Sequence, residues 1–202
     1  MIVKLKKGHI FVISGPSGSG KTTILSGIVK SGVLKGKLTR SVSLTTRQKR
    51  SGERQGRDYF FITEKEFKRL RQAKKILEWT RYLGYYYATP KDFIENKLKQ
   101  GKYVFLCLDL NGAMKLKRVY GTDCTSIFIL PPSLEELHRR ITNRCHLTKA
   151  EEIRGRLSLA DKEVKMAGKY DFRLMNKDLQ QAGSELKRIV LNKISDLEKK
   201  GR

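Results

Sequence analysis

An apolar run ends at Ser14 and passes directly into Gly15-Pro16-Ser17-Gly18-Ser19-Gly20-Lys21-Thr22, the pattern GxxxxGK[ST], with a helical pattern opening near Lys21. Glycines at 15, 18 and 20 let the backbone turn so that several N–H groups face one point, and the positive end of the following helix adds to them. A loop of this kind cradles phosphates. Gly15 to Thr22, with Thr23 extending the segment, is therefore the expected binding stretch for a nucleoside triphosphate: Lys21 bridges the β and γ phosphates and Thr22 holds Mg²⁺ through its hydroxyl. The loop by itself leaves kinase, ATPase and GTPase open. It does constrain the fold, because a strand, a phosphate loop and a helix in that order form one unit of a parallel sheet.

The rest of the chain agrees with that unit. Apolar runs at Ile10 to Ser14, Val104 to Leu110, Ser126 to Leu130 and Tyr170 to Met175 read as strands buried on both faces, each followed by a helical pattern. Helix starts are marked by Thr63 with Glu66, Ser133 with Glu136 and Thr148 with Glu151, each pair spaced as a capping box. A closing amphipathic helix is expected from about Leu179 to Leu197, presenting Leu179, Ala182, Leu186, Ile189, Val190, Ile194 and Leu197 on one face. The fold class is α/β, a sheet of the phosphate-loop NTPase type flanked by helices.

Between Ser41 and Pro90 the pattern changes to short aromatic-rich strands, Tyr59 to Ile62, Ile76 to Thr80 and Tyr85 to Tyr87, with a polar loop ahead of them. This reads as a small β-rich insertion hinged on the core.

Composition adds exclusions. No stretch reaches the roughly 18 uninterrupted apolar residues that a membrane helix needs, and the start of the chain lacks a signal-peptide layout, so a soluble cytoplasmic protein is expected. The three cysteines, Cys107, Cys124 and Cys145, suit neither a disulfide framework nor a zinc site. A formal charge of +24, spread along the chain, attracts anions generally without choosing between nucleotides and nucleic acid.

The segment Ser43-Leu44-Thr45-Thr46-Arg47-Gln48-Lys49-Arg50, followed by Gly52-Glu53, Gly56-Arg57-Asp58-Tyr59, Leu77-Glu78-Trp79, Gly84-Tyr85-Tyr86-Tyr87-Ala88-Thr89 and Ile129-Leu130-Pro131-Pro132-Ser133, resembles guanylate kinases over most of the chain. The resemblance implies a three-part enzyme that moves the γ-phosphoryl group of ATP to GMP, and to dGMP. Its implied divisions are a core at 1–40, 91–139 and 166–202, a GMP-binding insertion at 41–90 and a helical lid at 140–165. ATP and GMP are the implied partners, with Mg²⁺ accompanying ATP, no specific nucleic acid, no membrane, and a monomer or homodimer.

The chemistry of the matched residues fits those roles. Arg47 and Arg50 can fork onto a dianionic phosphate, with the Tyr59 and Tyr87 hydroxyls beside them. Glu78 can accept hydrogen bonds from guanine N1–H and the exocyclic amino group. On the residues alone it is equally an outward-facing strand residue. Ser43 and Thr89 complete base recognition by the resemblance. Arg140 and Arg144, four apart on one helix, and Arg156 on the next match the family's arginines that neutralise the transferring phosphoryl group; without the resemblance they read as surface arginines. Asp109 joins Thr22 as the implied metal ligand.

The sequence departs from the family pattern at Cys107, which stands where an acidic residue is usual, and more mildly at Lys49, Ala88, Asn111 and Lys177. Two other classes of function stay in view: a catalytically silent interaction module of the same fold, and a nucleic-acid-binding role carried by the basic surface.

Overall fold

The computed structural model describes residues 8–30, 32, 36–143, 150–199 and 201. At its centre β1 (His9–Ser14) pairs in parallel with β7 (Tyr103–Cys107) on one side and β8 (Cys124–Leu130) on the other. Outside these lie β2 (Leu38–Arg40) and β9 (Phe172–Met175), so the order is β2-β7-β1-β8-β9, all parallel. Alternate residues of β1 face opposite cores. Phe11 and Ile13 pack towards α1 (Lys21–Lys30) and α7 (Leu179–Lys199), while Ile10 and Val12 pack towards α3 (Lys91–Lys99) and α4 (Leu110–Tyr120). Helices on both faces are what make the strand apolar throughout.

Three sequence expectations need correction. The strand expected to reach Leu110 stops at Cys107, because Asp109 takes an extended conformation and its Oδ1 accepts the Gly112 N–H at 2.8 Å, capping α4. The last strand begins at Phe172 and is buried only at Leu174, since it lies at the sheet edge, where Phe172 and Met175 stay exposed. In α7 the face from Ala182 to Leu197 is buried as expected, but Leu179 is exposed, being in the first turn beside the phosphate loop. The Thr63 and Ser133 hydroxyls accept from the Glu66 and Glu136 N–H groups at 3.1 Å each. Thr148 lies outside the described residues, as do Arg144 and Cys145.

The insertion is a second sheet, built from β3 (Leu44–Thr45), β4 (Phe60–Phe61), β5 (Ile76–Tyr82) and β6 (Tyr85–Pro90) in the order β4-β3-β6-β5. The β5–β6 hairpin turns on Leu83 and Gly84, both at positive φ, the geometry a two-residue hairpin turn requires. Across it lies α2 (Glu64–Gln72), whose Phe67 stacks on Tyr86 with ring centroids 4.3 Å apart. Burying Phe67 stabilises this small core by about 2–3 kcal/mol. Finally α5 (Leu134–Asn143) and α6 (Ala150–Lys165) pack on each other through Leu137, Ile141, Leu157 and Ala160.

Candidate active site

The phosphate loop joins β1 to α1 at the carboxyl end of the sheet, where open α/β folds bind ligands. Its shape depends on glycine. Gly15 and Gly20 have φ of 140° and 90°, and a Cβ would lie 2.4 Å from the Ile129 carbonyl oxygen at Gly15 and 2.3 Å from Asn176 Nδ2 at Gly20. Asn176, buried just beyond β9, braces the loop: its Nδ2 donates to the Ser19 carbonyl and its backbone N–H to that of Leu130, both at 2.8 Å. Losing one such buried bond costs about 1–1.5 kcal/mol. Asn176→Ala is therefore expected to raise KM for ATP roughly tenfold in initial-rate measurements, with a smaller effect on KM for GMP.

Lys21 Nζ donates to the carbonyls of Gly15 and Pro16 at 2.5 and 2.8 Å, so the ammonium is folded over its own loop. Thr22 lines the same cavity, whereas Thr23 faces a separate groove between α1 and α7. That cavity, about 290 Å³, runs from Gly15, Ser17 and Lys21 across to the insertion, where Ser43, Arg47, Arg50, Tyr59, Glu78 and Tyr87 form its far wall.

Arg47 is 8% exposed and held on several sides. Its Nη2 pairs with Glu53 at 2.7 Å, its Nη1 donates to the Gln48 carbonyl at 2.7 Å, and its Nε donates to the Tyr87 hydroxyl at 3.2 Å. Its guanidinium also lies over the Tyr59 ring, 5.6 Å from the centroid. Burial would lower the Arg47 pKa, but the bonds to Glu53 and Tyr87 outweigh it and raise the value above the usual range. Glu53 serves both arginines, since its other oxygen accepts the Arg50 N–H at 2.8 Å. Glu53 was quoted in the family match but given no duty by sequence; its spacing from Arg47 and Arg50 was the available signal.

Glu78 points inward, settling the alternative left open by its strand position: it is 3% exposed, while its neighbour Trp79 is 39% exposed. Thr89 Oγ1 donates to Glu78 Oε1 at 2.5 Å, so Thr89 reaches the cavity wall through Glu78. Burial pushes the Glu78 carboxyl up to about 7, opposed by the Thr89 bond and reinforced by Asp109. Glu78 Oε2 lies against α4, where a Cβ on Gly112 would stand 2.8 Å away. Gly112→Ala thus displaces the carboxylate and is expected to raise KM for GMP about tenfold, with KM for ATP unchanged, in the same steady-state assay.

Cys107 and Asp109 also line the cavity, and burial pushes the Cys107 thiol above its usual value, against the opposing pull of Lys21 and Arg40. From α6, Arg156 and Glu163 also line the cavity. Burial raises the Glu163 carboxyl to about 7, with Lys21 opposing and Asp109 adding to the shift. Sequence reasoning missed Glu163, whose spacing of seven from Arg156, two helical turns, was the signal that could have found it. Arg140 is not on the cavity wall: its Nε donates to Glu136 Oε1 at 2.8 Å, beside the phosphate loop at Gly18. Arg144, the other arginine of that pair, is among the residues not described.

Among the described residues no group of three or more His, Cys, Asp or Glu forms a closed metal cage. Thr22 and Asp109 share one cavity and offer oxygen ligands alone. Such a sparse oxygen set suits Mg²⁺, which keeps its waters and is bound through one or two protein groups plus substrate phosphates.

A phosphate loop at one end of a cavity and an arginine- and carboxylate-lined pocket at the other define a phosphate-loop kinase acting on a nucleotide. The sequence model of the family described as guanylate kinase matches residues 7–193. The chain is 42% identical over 184 residues to a guanylate kinase of Wolbachia sp. subsp. Brugia malayi, covering 91% of this chain and 92% of that one. It is 40% identical over 198 residues to a guanylate kinase of Malacoplasma penetrans, covering 98% of each. The crystal structure of guanylate kinase from Anaplasma phagocytophilum superposes with a TM-score of 0.74 at 30% identity, covering 93% of this chain and 86% of that one. The chain belongs to the guanylate kinase family, the nucleoside monophosphate kinases that transfer a phosphoryl group from ATP to GMP.

Proposed function

We propose that the chain uses the residues named above for that transfer as follows. Gly15 to Thr22 holds the ATP phosphates, with Lys21 on the β and γ groups, while Thr23, turned to the groove between α1 and α7, has no part in it. Arg47, Arg50, Tyr59 and Tyr87 hold the phosphate of GMP, while Ser43 and Glu78 select guanine, with Thr89 acting through its bond to Glu78. The attacking atom is an oxygen of the GMP phosphate, so no protein nucleophile is needed; alignment and charge neutralisation supply the catalysis. Lys21 and Arg156, with Arg140 and Arg144, offset the charge of the transferring group as α5 and α6 close. Thr22 and Asp109 would hold Mg²⁺, which would supply charge shielding to the phosphate oxygens.

The carrying observation is the inward Glu78 carboxylate at the end of the cavity opposite Lys21. Guanine presents two donors to it, whereas adenine's matching edge presents none. The insertion at 41–90 is the GMP-binding unit and 140–165 the lid, moving on the core at 1–40, 91–139 and 166–202. The chain works as a monomer or a homodimer, and dGMP is a second acceptor. No specific nucleic acid is assigned. No described helix is long and apolar enough to cross a membrane, and Cys107 and Cys124 are free thiols, in keeping with a cytoplasmic setting.

Calorimetry tests the acceptor half of this reading on its own. GMP is expected to bind without ATP, and AMP at equal concentration to give no measurable heat. Equal binding of the two would contradict a guanine-selecting Glu78.

A further inference from the structure

In the cavity that Lys21 enters, α6 places Glu163 two helical turns from Arg156, so one helix face brings a cation and a carboxylate to the same space. Asp109 and Cys107 line the same cavity. Asp109 has Oδ1 committed to the Gly112 N–H, and Cys107 places a thiol rather than a carboxylate beside it in the cavity. The cavity that Lys21 enters is thus lined by a carboxylate engaged in capping α4, Asp109, and by one carried on α6, Glu163. Glu163 is half-buried and lines the same cavity as Lys21.

We propose that Glu163 is a positioning residue for phosphoryl transfer, its carboxylate drawing the Lys21 ammonium off the Gly15 and Pro16 carbonyls and towards the transferring group as α6 closes. The proposal rests on the kinase reading above and goes beyond it. It gives α6 a duty separate from the charge neutralisation assigned to Arg156. It also explains how an ammonium folded on its own loop is redirected at the moment of closure. Because Glu163 acts through Lys21, its loss lowers the rate of the chemical step and leaves acceptor binding alone.

The test is steady-state kinetics of Glu163→Gln, an isosteric change that removes the charge, with Glu163→Met as a second uncharged variant should the amide disturb α6. Wild-type turnover with GMP is measured first, and its absence would sink the kinase reading rather than this one. With wild type active, the expected result is a fall in kcat on the order of 10- to 100-fold, KM for GMP within about threefold, and an unchanged or raised Tm. A kcat within about twofold of wild type overturns the proposal, as does a joint loss of kcat, GMP affinity and Tm, which would mark a structural role. The double variant Lys21→Met/Glu163→Gln is expected to turn over no more slowly than Lys21→Met alone. A further tenfold or greater loss would show that Glu163 does not act through Lys21.

Discussion

Lys21→Ala is expected to lower kcat by at least about 10³-fold while leaving GMP binding intact, because the lysine touches only the ATP half of the cavity. Removing one preorganised donor from a site where charge is redistributed costs roughly 10²–10³ in rate, and a full positive charge on the transferring phosphates is worth more than a neutral donor. The fold should survive. Lys21 bonds the Gly15 and Pro16 carbonyls, but the loop is also braced by Asn176 on Ser19 and by the Ser19 N–H on the Pro16 carbonyl. Circular dichroism and GMP calorimetry on the variant, beside its rate, separate the two contributions. Near-normal turnover would mean that the phosphate loop is not the donor site.

The second large effect belongs to Glu78. Replacing it with Gln removes the acceptor pair facing guanine and is expected to raise KM for GMP by about 10²-fold, the value of a charge-assisted bond or two in a buried site. It also carries a pH signature. The folded protein holds the Glu78 carboxyl at about 7, against the ordinary carboxylate value near 4.5, so folding takes up a proton between those limits. The contribution of Glu78 to stability is thus fully present below pH 4.5 and lost as pH rises through about 7. Glu78→Gln should accordingly gain Tm relative to wild type as pH rises from 5 to 8. Guanine needs the ionised form, so wild-type KM for GMP should fall from pH 6 to pH 8 more steeply than that of the variant. Parallel pH profiles for the two proteins would mean that Glu78 does not meet the base.

Much of this was legible in the sequence, for identifiable reasons. The phosphate loop is local: its glycines and its strand-to-helix context lie within a few consecutive residues, and the structure realises them with Gly15 and Gly20 at positive φ. The buried strands were legible because helices on both faces leave no polar alternation at Ile10 to Ile13. Strands of two or three residues, such as Leu38–Arg40 and Leu44–Thr45, carry no readable period, and the helices Lys91–Lys99 and Leu110–Tyr120 announce themselves weakly. The latter is capped by Asp109, a residue that sequence reasoning had reserved for the metal.

At the site, single motifs name their own residues from the sequence, whereas residues placed by tertiary approach carry no such local signal. Glu53 acquires its place by closing on Arg47 and Arg50, and Glu163 by the packing of α6 against the cavity. Thr89 was assigned to the base, yet its hydroxyl is spent on Glu78, a partner across the β5–β6 pair that only the strand register reveals. Leu179 matched the helical period but opens α7 beyond the sheet, where periodicity does not report burial.

The most direct test of ATP:GMP phosphotransfer is ADP release from ATP and Mg²⁺, followed by a coupled assay, with GMP, dGMP, AMP, CMP or UMP as acceptor. Turnover with GMP far above AMP, CMP and UMP, with dGMP second, is the expected result. Tight binding of ATP and GMP without turnover would contradict it and would mark the chain as a nucleotide-binding module that has kept the fold and lost the chemistry.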